Sequence, residues 1–150
     1  MSDQKQEELS EAISHLLEEC RMVLPGIQAL FGFQLVVVFN QRFDKISSGD
    51  QVLHLIATVL VAISAALVMT PAAYHRVVHP RGVSERFLRI CTWLLLASMV
   101  LLTGGICADV FIISDVILES RTLAAAVAGF VFVVLVTLWF LFPCCQLKPR

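Results

Sequence analysis

Four long apolar segments separated by polar stretches dominate the pattern of the chain. They cover residues 23–39, 52–74, 90–108 and 123–142. A helix needs about 20 largely apolar residues to cross the hydrocarbon of a bilayer, and the first segment lies near the lower limit. The pattern predicts an all-α protein: a four-span transmembrane domain over residues 23–142, folded as a four-helix bundle, with a short cytoplasmic tail at 143–150.

Residues 1–22 carry a different pattern, in which apolar side chains recur at spacings of three and four. The apolar stripe consists of Leu9, Ile13, Leu16, Leu17, Cys20 and Leu24, and glutamates occupy the other face. This periodicity predicts an acidic, amphipathic cytoplasmic helix that ends at a break or kink at Pro25-Gly26. Helices that bind anionic lipid are usually basic. We therefore expect residues 9–24 to pack on protein, either loops of this chain, a second copy, or a partner in a membrane complex.

The sequence pattern does not determine where the third span ends. Gly104-Gly105 either loosens the helix or admits a neighbouring one. Residues 110–118 are apolar again except for Ser114 and Asp115. They either extend the third span or lie at the membrane interface, and periodicity does not distinguish the two.

Composition supports a membrane protein. The chain is 58% hydrophobic and 15% charged, and its mean hydropathy is +0.83. A soluble domain could not bury so much apolar surface, so the lipid bilayer is the expected surrounding. The net charge of −1 gives no reason to expect nucleic acid as a partner. The five cysteines lack the spacing of a zinc site or a disulfide framework, and no cofactor is predicted.

The distribution of basic residues predicts the orientation. If both termini are cytoplasmic, that side holds most of the Lys and Arg residues, and the other side holds only Arg42, Lys45 and Arg121. An excess of basic residues on the cytoplasmic side is the general rule for membrane proteins. An even number of spans agrees with it.

Polar residues within or beside the spans are the first candidates for a site. They are Gln28, Gln34, Asn40 and Asp109. Asp109 either binds a cation or relays a proton, or it is simply solvated beside Asp115 and Glu119. The two glutamines lie on different faces of a helix. Each either lines an aqueous path or makes an ordinary interhelical hydrogen bond.

The connector between the second and third spans is strongly basic. Arg76, Arg81, Arg86 and Arg89 could contact lipid headgroups or another anion, although orientation alone also requires such a cluster. His75 and His79 stand four residues apart, a weak candidate metal site without an evident third ligand. His54 is expected at the outer boundary, where a pH-sensing role is conceivable. Cys144-Cys145 lies where juxtamembrane cysteines can be acylated.

Several short strings resemble a family of small bacterial four-span membrane proteins catalogued as a domain of unknown function. The strings are Leu16-Leu17-Glu18-Glu19-Cys20-Arg21, Pro25-Gly26-Ile27-Gln28, Leu30-Phe31-Gly32-Phe33-Gln34-Leu35, Phe39-Asn40, Arg42-Phe43, and Pro71 followed by His75-Arg76. The resemblance covers residues 9–142. It implies a bacterial inner-membrane location and no established activity, and it directs attention to the polar residues within these strings.

Three classes of function remain. The first is a non-enzymatic interaction, structural or regulatory membrane protein, favoured by small-residue faces and the N-terminal stripe. The second is a small oligomeric channel or transporter that uses Gln28, Gln34, Asn40 and Asp109. The third is a membrane metal-binding protein or enzyme that uses His75, His79 and Asp109. The known hydrolase, metalloprotease and phosphate-binding motifs are absent from the sequence, so we expect no enzyme.

Overall fold

The structure, a computed structural model, describes residues 2–41, 43–78 and 85–143, and within this part it is all-helical. Helix α1 spans Ser2–Val38, a short 3₁₀ helix spans Phe43–Lys45, and α2 spans Ser48–Val78. Helix α3 spans Glu85–Leu118, and α4 spans Arg121–Val136 and continues as a π-helical turn over Thr137–Leu141. All four long helices are long and apolar enough to cross a membrane, as the sequence predicted.

Contacts between the helices define an up-and-down bundle. Tyr74 near the end of α2 stacks on Phe87 near the start of α3, with ring centroids 4.9 Å apart. Further along the same pair, the Ser64 hydroxyl donates to the Ser98 carbonyl over 2.9 Å. The α2–α3 pair is therefore antiparallel, and Gly105 lets the two helices approach closely. A Cβ at Gly105 would lie 2.8 Å from the Val61 side chain and 3.2 Å from the Ala57 carbonyl.

The expected break at Pro25-Gly26 is wrong, since α1 runs through Pro25 without interruption. Proline removes one backbone donor, but helices in membranes tolerate that loss when neighbours satisfy the freed groups. A separate amphipathic helix on the cytoplasmic side is not supported. The predicted stripe instead faces the bundle, where Ile13 packs with Phe87 and Cys91 of α3.

The other helices also exceed the predicted spans. Helix α2 begins before the expected start at residue 52, because Ser47 caps it: the Ser47 hydroxyl accepts from the Asp50 N–H over 3.2 Å and donates to the Asp50 carboxylate over 2.6 Å. Residues 110–118 belong to α3, so the third helix continues without a break to Leu118. Glu119 then adopts a left-handed conformation, φ 51°, and turns the chain into α4.

A small apolar core lies between the first three helices. Its buried members are Cys20 and Ile27 of α1, Val61 and Val68 of α2, and Leu102 of α3, with Trp139 packed against them from the end of α4. Most other large apolar side chains point outward. Such a surface is stable only against lipid or another apolar surface.

Candidate functional site: a buried His–Asp–Gln cluster

Three polar side chains from three helices meet beneath the loop that joins α1 to α2. Gln34 lies one turn before the end of α1, His54 lies in the second turn of α2, and Asp109 lies in the last third of α3. The antiparallel hairpin of α1 and α2 brings the first two together, and the antiparallel α2–α3 pair brings Asp109 to the same level. We call these three residues the His–Asp–Gln cluster.

Each member of the cluster contacts both others. The Gln34 Nε2 donates to Asp109 Oδ2 over 2.6 Å. The His54 Nδ1 lies 3.2 Å from Asp109 Oδ1, and the His54 Nε2 lies 3.0 Å from the backbone carbonyl of Gln34. The result is a closed ring of hydrogen bonds that ties α1, α2 and α3 together.

Two members of the cluster are buried, and the side chain of the third, Asp109, is 15% exposed. Gln34 is 3% exposed and His54 is 5% exposed. The edge of the Phe43 ring covers the His54 imidazole, with centroids 5.5 Å apart. One turn further along α2, the Thr58 hydroxyl donates to the backbone carbonyl of His54 over 2.9 Å. This hydrogen bond occupies the Thr58 hydroxyl.

The cluster also lies below the rim of the apolar surface. Phe39 on α1 is 87% exposed and Ile117 on α3 is 71% exposed, and both lie beyond the cluster towards the helix ends. At 1.5 Å per residue, these side chains are about 7 Å and about 12 Å further along their helices than Gln34 and Asp109. Exposed apolar side chains therefore lie further towards the helix ends than Asp109, whose own side chain is 15% exposed.

Hydrogen-bond geometry fixes one proton of the imidazole. A carbonyl oxygen only accepts, so the His54 Nε2 must carry a hydrogen to bond the Gln34 carbonyl. The Gln34 amide likewise presents its NH₂ to Asp109, since the opposite orientation would bring two oxygens together. What remains is the pair formed by His54 Nδ1 and Asp109 Oδ1, which has room for one shared proton.

That shared proton makes the pair stable. With it, the pair is either an imidazolium–carboxylate ion pair or a neutral imidazole bonded to a carboxylic acid, and it is neutral overall in both forms. Without it, two lone pairs face each other at 3.2 Å and a net negative charge is buried. Burying an uncompensated charge is costly in an apolar surrounding. The geometry thus describes a hydrogen-bonded pair with room for one proton between His54 Nδ1 and Asp109 Oδ1.

One acceptor in the cluster has no partner. The Gln34 Oε1 is buried and makes no hydrogen bond within the part of the chain that the structure describes. An amide oxygen left unpaired in a buried site costs free energy. This oxygen is the free acceptor on which a donor entering the cluster would bind.

A charged pocket of about 460 Å³ lies on the loop side of the cluster. Arg121 at the start of α4 contacts Asp50 over 3.5 Å and Asp115 over 3.6 Å, and Lys45 and Glu119 also line the pocket. Asp50 stands one turn before His54 on α2. The carboxylates next to the cluster are therefore paired with an exposed arginine, in contrast to Asp109.

The remaining sequence candidates do not join this site. Gln28 is exposed on α1, and Asn40 is exposed in the turn after α1, where its carbonyl accepts from the Phe43 N–H over 2.8 Å. Arg76, Arg86 and Arg89 are exposed. Arg81, His79, the His75 side chain and Cys144-Cys145 lie outside the described residues. Within the described part of the chain, no group of three or more His, Cys, Asp or Glu side chains could hold a metal.

Sequence reasoning selected Gln34 and Asp109 but did not place His54 with them. The one available signal was weak: His54 is the only ionisable side chain between Asp50 and Tyr74 in an otherwise apolar helix. Its partners lie 20 and 55 positions away in the chain. Only the register of the three helices joins them.

The fold and the cluster together define an α-helical membrane protein of four candidate spans in which three helices share the His–Asp–Gln cluster. The chain belongs to the Family of unknown function (DUF6328), whose family profile matches residues 2–143. No curated protein and no solved structure matches it.

Proposed function

We propose that this protein is a non-enzymatic regulatory membrane protein that responds to pH through the His–Asp–Gln cluster. The single observation that carries the proposal is the facing pair of His54 Nδ1 and Asp109 Oδ1, 3.2 Å apart, within a ring of hydrogen bonds that links three helices. Loss of the shared proton would weaken the ring. Because each member belongs to a different helix, the protonation state then changes how α1, α2 and α3 pack.

The location of the cluster supports sensing at one membrane surface. The cluster lies at the end of the bundle that carries the α1–α2 and α3–α4 loops. With both termini in the cytoplasm of a bacterial inner-membrane protein, as we propose from the distribution of basic residues, this end faces away from the cytoplasm. The sensed pH is then that of the outer compartment, and the pocket beside Asp50 and Asp115 is its route of access.

Transport through a single copy is the weaker alternative. The cluster itself is the kind of polar group that transporters use within membranes. Below it, however, the interior consists of apolar side chains, and α2 and α3 are in close contact at Gly105. Ser64 and Ser98 bond backbone carbonyls there and offer no polar path. A relay across the membrane would need a second copy or a large rearrangement.

The proposal is tested by following the imidazole of His54 directly. In nanodiscs, ¹⁵N NMR of histidine-labelled protein should show His54 Nε2 protonated throughout, and Nδ1 should change with pH in a single step coupled to Asp109. The His54→Gln variant assigns the signal. In Asp109→Asn the step should be displaced or lost, because a neutral amide cannot share a proton with Nδ1 as the carboxyl group does. An unchanged step in Asp109→Asn would refute the proton-sharing pair.

A vesicle assay separates sensing from transport. A regulator leaves an imposed pH gradient across proteoliposomes intact. A gradient that the wild-type protein dissipates and Asp109→Asn preserves, with equal insertion of both proteins, would favour the transporter.

A further inference from the structure

Gln28 is a polar side chain on the outer surface of α1. It is exposed, and within the described part of the chain it has no hydrogen-bond partner, in contrast to Gln34. It stands eleven residues before Phe39, which places it about 16 Å along the helix axis from the apolar rim. The hydrocarbon layer is about 30 Å thick, so the Gln28 amide lies near the middle of the bilayer.

Lipid cannot satisfy this amide. Its oxygen and its NH₂ group need hydrogen-bond partners, and hydrocarbon offers none. Snorkelling to the surface is not open to a short glutamine at that depth. Another protein surface is the partner that would satisfy it.

Gln28 belongs to a regular face of α1. The positions Arg21, Pro25, Gln28, Gly32, Leu35 and Phe39 follow one another at spacings of 4, 3, 4, 3 and 4, and all are exposed. We call these six residues the Gln28 face. Residues at such spacing form the seam along which two helices pack side by side over several turns. One polar residue within the seam fixes the register of the two helices.

Gly32 permits close approach at the centre of this face. A Cβ built there would meet no atom within 4 Å, so nothing in the chain itself occupies the space. Small residues at helix interfaces in membranes let backbones come together, which shortens interhelical hydrogen bonds.

Helix α4 provides the contrast. It is the least buried of the four spans, and between Leu123 and Leu141 it has no charged residue, Asn or Gln. Its outer surface is suited to lipid. Exposure alone therefore does not distinguish the two helices, whereas the unpaired amide on α1 does.

We propose that the chain forms a parallel homodimer through the Gln28 face, with the two Gln28 amides bonded to each other across a two-fold axis normal to the membrane. Copies of one chain share one orientation, so the same residue lies at the same depth in both. An amide carries both a donor and an acceptor and is self-complementary. A second copy thus supplies the needed partner at the needed depth.

The test measures association in membranes with matched glycine variants. Förster transfer between labelled copies in vesicles, at increasing lipid-to-protein ratio, gives the dissociation constant, and the mass in nanodiscs gives the stoichiometry. Gln28→Leu should raise the dissociation constant by about fivefold to thirtyfold, as loss of amide bonds between helices does in lipid. Gly32→Leu should separate the copies. Gly26→Leu should leave the dimer intact, since Gly26 is equally open but lies off the Gln28 face.

Wild-type protein that remains monomeric at every lipid ratio would overturn the proposal and indicate a different membrane protein as the partner. A dimer that neither Gln28→Leu nor Gly32→Leu weakens would overturn it too, because the copies then meet through another face. Unchanged thermal stability of the variants shows that each chain is still folded.

Discussion

Asp109 has one oxygen for each of two neighbouring helices: Oδ1 faces His54 on α2, and Oδ2 accepts from Gln34 on α1. This division explains why an acid is tolerated below the apolar rim. Its charge is either paired with an imidazolium or removed by the shared proton. Asp50, by comparison, accepts from the Ser47 hydroxyl and is paired with the exposed Arg121.

Replacement of Asp109 separates the hydrogen-bonding role from the charge. In Asp109→Asn the amide oxygen accepts from Gln34 and the NH₂ donates to the neutral His54 Nδ1, so the ring stays closed and stability changes little. In Asp109→Leu the Gln34 and His54 groups both lose a partner, and we expect a loss of about 1–3 kcal/mol. Thermal unfolding in nanodiscs at one pH measures the stability of both variants. Equal destabilisation by the two substitutions would contradict the closed ring of hydrogen bonds.

Part of this site was predictable from the sequence. An isolated Gln and an isolated Asp in apolar segments stand out, because each costs free energy in lipid unless it is paired. Their grouping with His54 was not predictable, because it depends on which turn of α1 lies beside which turn of α2 and α3. The sequence pattern gives the helices but not this register. Gln28 stood out equally and belongs to the outer surface.

At the scale of the helices, close packing of α2 on α3 depends on one glycine. Gly105→Ala would place a methyl group 2.8 Å from the Val61 side chain and 3.2 Å from a backbone carbonyl. The carbonyl cannot move aside, so we expect a loss of about 1–3 kcal/mol. Since His54 and Asp109 lie on this pair of helices, the cluster should loosen as well.

The neighbouring glycine is the control. A Cβ at Gly104 meets only the Leu60 Cδ1 at 3.4 Å, the end of a flexible side chain. Gly104→Ala should therefore be neutral or gain up to about 1 kcal/mol of helix propensity. Thermal unfolding of the two variants, measured in parallel, tests this difference in stability. A Gly105→Ala protein as stable as Gly104→Ala would disprove the close approach of α2 and α3 at Gly105.

The N-terminal half of α1 is held by its contact with α3. Ile13 is 2% exposed and packs with Phe87 and Cys91. Ile13→Ala should cost about 2–4 kcal/mol and increase hydrogen exchange over residues 9–20, whereas the exposed Ser14→Ala should change neither. Equal exchange in the two variants would mean that this segment does not pack on α3.

That contact also shows why the predicted break failed. The rule that proline ends a helix assumes a backbone surrounded by water, and it does not apply to a helix held on both sides of Pro25 by a bundle. Within the stripe of residues 9–24, Ile13 packs on α3 of the same chain. Helix α3 of the same chain lies against this stripe. A partner bound to the stripe would therefore have to displace α3, or it would have to bind the glutamate face instead.

At the scale of the whole molecule, the even number of candidate spans makes a definite prediction of topology. We expect both termini on the cytoplasmic side and the loop with Lys45 and Arg121 on the other. Epitope tags at the two ends should be cleaved together in inside-out vesicles and protected together in intact cells. Cleavage of one tag only would mean that one of the four helices does not cross the membrane.

The proposed function requires the stability of the whole bundle to depend on pH through His54 and Asp109 together, because a proton shared only within the folded pair links protonation to folding. The other charged groups that line the pocket at this end are Asp50 on α2, Asp115 on α3, Glu119 after α3, Arg121 on α4 and Lys45 in the 3₁₀ helix.

The most direct test of the account compares thermal unfolding of wild-type protein and Asp109→Asn in nanodiscs across neutral and alkaline pH. Both proteins keep Asp50, Asp115, Arg121 and Lys45, so their contribution cancels in the difference. The account predicts that the wild-type midpoint changes with pH and that the Asp109→Asn midpoint changes less. Parallel pH profiles of the two proteins would contradict it, because the cluster would then be a fixed clamp that binds no exchangeable proton.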